Sequence, residues 1–282
     1  MPMNETPSSG GGDSRPRRGG KPAEGQPVID RAFAVLGTFD SDHRAQTLAE
    51  LAQRSDIPRS SALRLARSLV HAGALERLDD GRYVVGLRLL ETASLAPRGH
   101  GLRSVAMPFM EDLFHVTRQH VLLAVREGEE AVLVERLSAL DASPVRYRVG
   151  GRLPLASTGA GLVLLAFAPP PVQDHAIATY APGGEGHDDI CTPADLRRML
   201  AEVRRGDHAF GRQSRPWPVT TVAAPVRQGD EVVAALSVVA PSTGFAEAGF
   251  GPAVRATARA ISRRLDEDDR RTTRPGDADT GP

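Results

Sequence analysis

The segment from Thr47 to Val85 leaves the chain few choices of fold. Thr47 followed by Glu50 has capping-box spacing, and Leu48, Leu51 and Ala52 behind it predict a short helix through Gln53. After the turn Ser55-Asp56-Ile57, Pro58 sits in the first turn of a longer helix that runs to about His71 and stops at Gly73. Ahead of this pair, Ile29, Ala32, Phe33, Leu36 and Phe39 keep helical spacing over 28–39. Behind it, Leu75 to Leu78 and Arg82 to Val85 flank Asp79-Asp80-Gly81, a hairpin turn sequence. Three short helices with one tight turn, closed by a hairpin, follow the plan of a winged helix-turn-helix.

The third helix carries the chemistry of that plan. On a helical wheel Ala62, Leu65, Ala66 and Leu69 separate from Ser60, Arg64, Arg67 and His71, and no acid occurs from 57 to 75. A helix that enters a major groove needs arginines and short hydroxyls near its start, because a guanidinium reads guanine bidentately and a hydroxyl reaches bases or phosphates. Ser60, Ser61 and Arg64 meet that need. Arg59 and Arg67, with Arg77 and Arg82 on the hairpin, suit phosphate contacts. Charge pattern alone would also describe a solvated helix face, and it is the surrounding helix, turn and hairpin that favour double-stranded DNA. The 35 basic and 35 acidic side chains cancel, so any such binding must come from this local surface.

The remaining sequence divides into a disordered arm at 1–27, the winged domain at 28–85, a linker helix at 86–98, a second domain at 99–266 and a polar, disordered tail at 267–282. In the second domain, helices are expected at 102–118, after Gly159, at 193–205 and at 252–265. Strands are expected at 121–125, 131–135, 145–149, 220–227 and 231–240. Their order shows no regular βαβ alternation, which gives an α+β class with a mainly antiparallel sheet. Ser157-Thr158-Gly159-Ala160-Gly161 is a polar, flexible turn leading into an apolar helix. Its exposed amides suit a carboxylate, and the same residues also suit a plain cap with close backbone packing.

Several function classes find no support. Neither a Gly-x-Ser-x-Gly elbow nor a phosphate-binding loop occurs. His115 and His120 are five apart and do not share a helix face, while His175, His187, Asp188 and Asp189 fall in a Gly- and Pro-rich stretch that reads as a surface loop. The single Cys191 excludes an internal disulfide and fits a reducing compartment, and no apolar stretch is long enough to span a bilayer. The expectation is a cytoplasmic, non-enzymatic protein without metal, cofactor or membrane contact. Trp217, between two prolines, is expected to pack in the core or cover a pocket.

Leu48-Ala49-Glu50-Leu51-Ala52, Ile57 to Leu65, Leu75-Glu76-Arg77, Gly81-Arg82-Tyr83 and Gly86 to Glu91 occur in an order and spacing that resembles the IclR family of transcriptional regulators. Val149 to Leu155, Val222 to Val226 and Ala234 to Val238 extend the likeness over about 28–265. The resemblance implies an N-terminal winged helix-turn-helix, a linker helix, a GAF-like domain that binds a small-molecule effector, and homodimers or homotetramers on palindromic operators. It implies an effector site bordered by Ser157, Thr158, Gly159, Ala160 and Gly161, with Thr221 and Ser237 on paired strands. The chain departs from the family pattern at Ala156, Leu162 and Val239, and Gly211-Arg212-Gln213-Ser214-Arg215 stands where an acidic stretch is expected. These changes imply a less polar wall and an acidic or aromatic ligand. Two alternatives stay open at this point: a metabolic enzyme whose first domain only assembles subunits, and a regulator whose sensor is empty.

Overall fold

The computed structural model describes residues 27–139, 147–181, 187–215, 218–243 and 247–273. The expected N-terminal arm, the last residues of the tail and Trp217 lie outside them. The chain divides into two compact units between Leu89 and Leu90, inside the expected linker.

The first unit is a three-helix cluster with a small sheet. Helices α1 (Val28–Leu36), α2 (Leu48–Arg54) and α3 (Arg59–His71) pack around Val35, Leu51, Ile57, Ala62, Leu65 and Ala66. The capping box of α2 is present: Thr47 Oγ1 accepts from the Glu50 amide and Glu50 accepts from the Thr47 amide. Pro58 caps α3 rather than entering it, and Gly73, at φ +74°, ends it. Strands β2 (Leu75–Arg77) and β3 (Tyr83–Val85) form the hairpin, and β1 (Ala45–Gln46) completes a sheet of order β1-β3-β2. Two residues are too short a run to show alternation, so β1 left no periodic signal in the sequence.

Between α1 and α2, Asp40 organises the turn. It accepts from His43 Nδ1 at 2.7 Å and from Arg54 at 2.6 Å, while Arg54 Nε also donates to the Thr38 carbonyl. The hydrogen bond from His43, with the neighbouring amides of Asp42 and His43, holds the Asp40 carboxyl down to about 2. A carboxyl depressed in the folded state adds stability above its ordinary value and loses it as pH falls through the folded one. Asp40→Asn is therefore expected to lower the thermal midpoint of this unit near neutral pH, with the gap to wild type closing as pH drops from 3.8 toward about 2. Melting curves across that range check it; a gap independent of pH contradicts it.

In the second unit, helix α4 (Leu87–Ala93) begins just before the division, and a π-helical turn at Pro97–Gly101 runs straight into α5 (Leu102–Thr117). The linker is thus helical over 87–93, a turn at 94–96 and a π-turn beyond, instead of one helix over 86–98. Six antiparallel strands follow the order β6-β5-β4-β9-β8-β7: β4 (His120–Glu127), β5 (Glu130–Leu137), β6 (Arg152–Pro154), β7 (Ala209–Gln213), β8 (Val219–Gln228) and β9 (Glu231–Pro241). Alternation along the strands divides their side chains between two cores. Val121, Leu123, Val222, Leu236 and Val238 face α5 and α9 (Glu247–Thr273). Leu122, Ala124, Ala223, Ala235 and Val239 face α6 (Gly159–Ala166), with α7 (Pro170–Ala178) and α8 (Pro193–Gly206) beyond it. All eight residues of α6 are buried, as expected of a helix that is apolar all round.

Two expectations need correction here, and two elements add to them. The strand placed at 145–149 is not one over its described part, 147–149. A turn at Val149-Gly150, with Gly150 at φ +76°, moves pairing onward to Arg152–Pro154 against β5. Helix α9 extends well beyond 265, so residues 267–273 belong to a helix and not to the tail. Arg264 pairs with Glu267 at 3.5 Å and Asp268 at 3.1 Å, spacings that support a polar helix. Strand β7 and helix α7 were not anticipated.

Candidate DNA interface and effector site

The amphipathic pattern of α3 turns Ala62, Leu65 and Ala66 into the core, which leaves Ser60, Arg64, Arg67 and His71 on one exposed stripe. Arg59 and the half-buried Ser61 flank the stripe on opposite sides. Among the described residues no carboxylate pairs with Arg59, Arg64 or Arg67, and the first turn of α3 holds no acid. Arg59 and Arg67 line a cleft of about 430 Å³ with Arg77, Tyr83 and Leu48, so three arginines border the cleft where the wing meets α3. Arg77 also lies 6.0 Å from the Tyr83 ring centre, which steadies it.

Arg82 behaves differently. Its Nε donates to Asp80 at 2.7 Å and the Asp80 carboxylate also accepts from the Arg82 amide, so this guanidinium closes the wing turn. The Asp80 hydrogen bond raises the Arg82 pKa, and the pair is surface-exposed. A phosphate contact from Arg82 would have to compete with Asp80.

The sequence-derived effector residues come together in the second unit. Thr158 is the N-cap of α6: its hydroxyl accepts from the Gly161 amide at 3.1 Å and donates to the Pro154 carbonyl at 3.0 Å. That leaves the amides of Gly159 and Ala160 as the helix donors without an intrahelical partner. Gly159 lies against β8 so closely that a Cβ there would sit 2.3 Å from Thr221 Cγ2 and 3.7 Å from Ala223 Cβ. Thr221 and Ala223 therefore point toward α6, and Ser237, the cross-strand partner of Ala223, shares that face. Ser237 is 1% exposed and its hydroxyl has no hydrogen-bond partner among the described residues. Ser157 is half-buried beside the cap, and Ala160 and Gly161 are buried.

Other polar groups on this face escaped the sequence reading. Gly211, Thr221, Val239 and His120 form one row across β7, β8, β9 and β4. Three strand spacings separate its ends, about 14 Å. His120 is buried at one end, its Nδ1 2.8 Å from Ser138 Oγ. At the other end His187 is 6% exposed and lies on Gly211, where a Cβ would come within 1.6 Å of its Nδ1. Arg136 occupies the next row beside Leu122 and Ser237 and donates to the Tyr147 carbonyl at 2.9 Å.

His187 was expected in a surface loop, and its burial corrects that. Asp188 anchors it: the Asp188 amide donates to the Arg212 carbonyl at 2.8 Å, and its carboxylate accepts from the Ser214 hydroxyl at 2.7 Å. Burial pushes the His187 imidazole below its ordinary value, against the opposing charges of Asp189 and Asp188. The Thr158 main chain lies close enough to favour the charged ring, yet among the described residues neither nitrogen meets a partner at hydrogen-bond geometry. Among the described residues no group of three or more His, Cys, Asp or Glu side chains is placed to hold a metal, and no helix is long and apolar enough to cross a membrane.

Two family models match the chain. The IclR helix-turn-helix domain covers residues 28–79, and the bacterial transcriptional regulator IclR C-terminal domain covers residues 96–263. The HTH-type transcriptional repressor AllR of Escherichia coli K12 is 26% identical over 264 residues, which is 88% of this chain and 96% of that protein. An IclR homolog of Microbacterium hydrocarbonoxydans, crystallised with 4-hydroxybenzoate, is 34% identical with a TM-score of 0.79 and covers 86% of this chain and 100% of its own. The IclR structure of Thermotoga maritima shares the fold at 24% identity and a TM-score of 0.66, covering 85% of this chain and 98% of its own.

Proposed function

The chain belongs to the IclR family of bacterial transcriptional regulators, and on that footing we propose which of its residues read DNA and which ligand class controls it. As a family member it is a DNA-binding regulator whose operator affinity responds to a small molecule. The observation that carries the assignment is the exposed stripe of Ser60, Arg64 and Arg67 on α3, where Arg64 and Arg67 have no carboxylate partner among the described residues. In our reading Ser60, Ser61 and Arg64 touch base edges, whereas Arg59, Arg67 and Arg77 hold phosphates on either side. Arg82 contributes to the wing chiefly by shaping its turn.

The protein acts as a homodimer, or a dimer of dimers, on a palindromic operator with half-sites about one helical turn apart. Support comes from apolar side chains left uncovered within each element: Ile29 and Phe33 on α1 are 69% and 67% exposed, and Leu87 and Leu90 on α4 are 63% and 65% exposed. Such surfaces are expected at an interface between copies. The protein has no catalytic role and works in the cytoplasm, where the DNA is.

The effector is a small carboxylate with an apolar, preferably aromatic, body. The Microbacterium relative supports that class, as does a face on which amides of Gly159 and Ala160, Thr221 and Ser237 stand beside apolar Leu122, Leu162 and Val239. Ligand control requires that the two DNA-binding states differ in effector affinity. The test is a mobility shift on the protein's own operator with increasing 4-hydroxybenzoate. Wild type is expected to change its apparent Kd, and the Thr221→Val/Ser237→Ala double variant to bind the operator normally with little response. An equal response in both rejects these residues as the site.

A further inference from the structure

Gly211 has no side chain, and the imidazole of His187 occupies the space where one would stand. The ring thus lies on the effector-facing side of β7, in the row that continues through Thr221. It sits next to the start of α6, close to the Thr158 main chain. A buried polar ring is normally hydrogen-bonded, and a group that is not calls for an explanation. Among the described residues neither ring nitrogen has a partner at hydrogen-bond geometry, the Thr158 main chain being a close polar neighbour, and the buried hydroxyl of Ser237 on the same face of the sheet has none either. With the amides of Gly159 and Ala160, this puts several unsatisfied donors on the side of the sheet that faces the α6 N-terminus. A carboxylate with its two acceptor oxygens meets that set of needs, whereas an apolar ligand would leave the donors buried and unpaired.

We propose that His187 pairs directly with the carboxylate of the effector and is the specificity-determining residue of this site. The inference rests on the effector reading above and adds to it a residue that pays for its burial only when the ligand is bound. In the empty site burial keeps the imidazole neutral. The arriving carboxylate favours the charged ring, so His187 takes one proton from solvent and donates an N–H to a carboxylate oxygen, with no covalent bond made or broken. The other titratable groups near it are Asp188, held by Ser214, Asp189 next to it, and, farther along the face, His120 on β4 and Arg136 on β5. Because binding takes up a proton, affinity rises as pH falls and levels off below the His187 pKa of the empty site.

The experiment is calorimetry of the full chain with 4-hydroxybenzoate in two buffers of different ionisation enthalpy, at about pH 7.5, above the ordinary histidine value. Wild type is expected to take up close to one proton per molecule bound. His187→Gln, which keeps a neutral donor, is expected to take up none and to bind about 10- to 100-fold more weakly. Binding of the neutral amide 4-hydroxybenzamide should be the same for both proteins and should move no proton. Binding by wild type without proton uptake overturns the role of His187 while the effector reading stands, and this result does not depend on whether the variant folds. Equal affinity of wild type and His187→Gln for 4-hydroxybenzoate overturns it as well. Failure of wild type to bind 4-hydroxybenzoate at all removes the effector reading and the proposal with it.

Discussion

Arg64→Ala is expected to cost about 1–3 kcal/mol of binding to the protein's own operator while leaving affinity for unrelated duplex near that of wild type. Arg64 stands in the middle of the exposed stripe, with Ser60 one turn before it and Arg67 one turn after. A guanidinium placed there can donate twice to one guanine, and loss of that pair penalises the cognate sequence alone. Arg67→Ala has the opposite signature. Arg67 lines the cleft shared with Arg59 and Arg77, where three bordering cations suit phosphate. Its loss should weaken cognate and unrelated DNA alike and lower the salt slope by about one. Mobility shifts on both DNAs over a salt series separate the two. Equal losses for both variants on both DNAs contradict the division of labour.

Gly161→Ala is expected to silence the effector response while DNA binding survives. A Cβ at that position would lie 2.5 Å from the Leu155 carbonyl oxygen, 2.6 Å from that of Pro154 and 2.6 Å from Thr158 Oγ1. Two of these neighbours are main chain and cannot turn aside as a flexible side-chain tip would. The loop between β6 and α6 must shift, taking with it the Thr158 cap and the free amides that follow. Overpacking of this kind costs about 1–3 kcal/mol, and a lost cap about 1 more. The thermal midpoint of the second unit should fall, heat of 4-hydroxybenzoate binding should vanish, and operator affinity without ligand should stay close to wild type. A variant that still responds to ligand would show that the start of α6 does not form the site.

The DNA-binding unit was readable from sequence because its signals are local. Thr47 with Glu50, Pro58, Gly73 and the Asp79-Asp80-Gly81 turn each set the chain within a few residues, and the wheel of α3 assigned its two faces. The effector unit was readable only in part. The cap at Thr158 and the pairing of Thr221 and Ser237 with their neighbours belong to patterns within single elements or adjoining strands. His187 does not, since its burial depends on the bare backbone of Gly211 in another element. Gly211 and Arg212 were read as a missing acidic stretch, when they form the edge strand β7 whose empty position admits the ring. Likewise, the polar composition of 267–273 signalled a tail, yet Arg264 with Glu267 and Asp268 continues α9. Packing between elements was what local pattern could not supply, whereas the spacing of Arg264 with Glu267 and Asp268 was local and was outweighed by the polar composition of the segment.

On the assignment proposed for α3, its exposed face reads duplex DNA. The most direct test is selection of bound fragments from genomic DNA with wild-type protein and with Arg64→Ala, compared at one salt concentration. Wild type is expected to enrich a palindrome with half-sites about one helical turn, or a multiple, apart, and Arg64→Ala to lose the enrichment while keeping weak, salt-sensitive binding. Recovery of the same palindrome at the same strength by Arg64→Ala, and by a variant in which Arg59, Arg64 and Arg67 are all alanine, would contradict it.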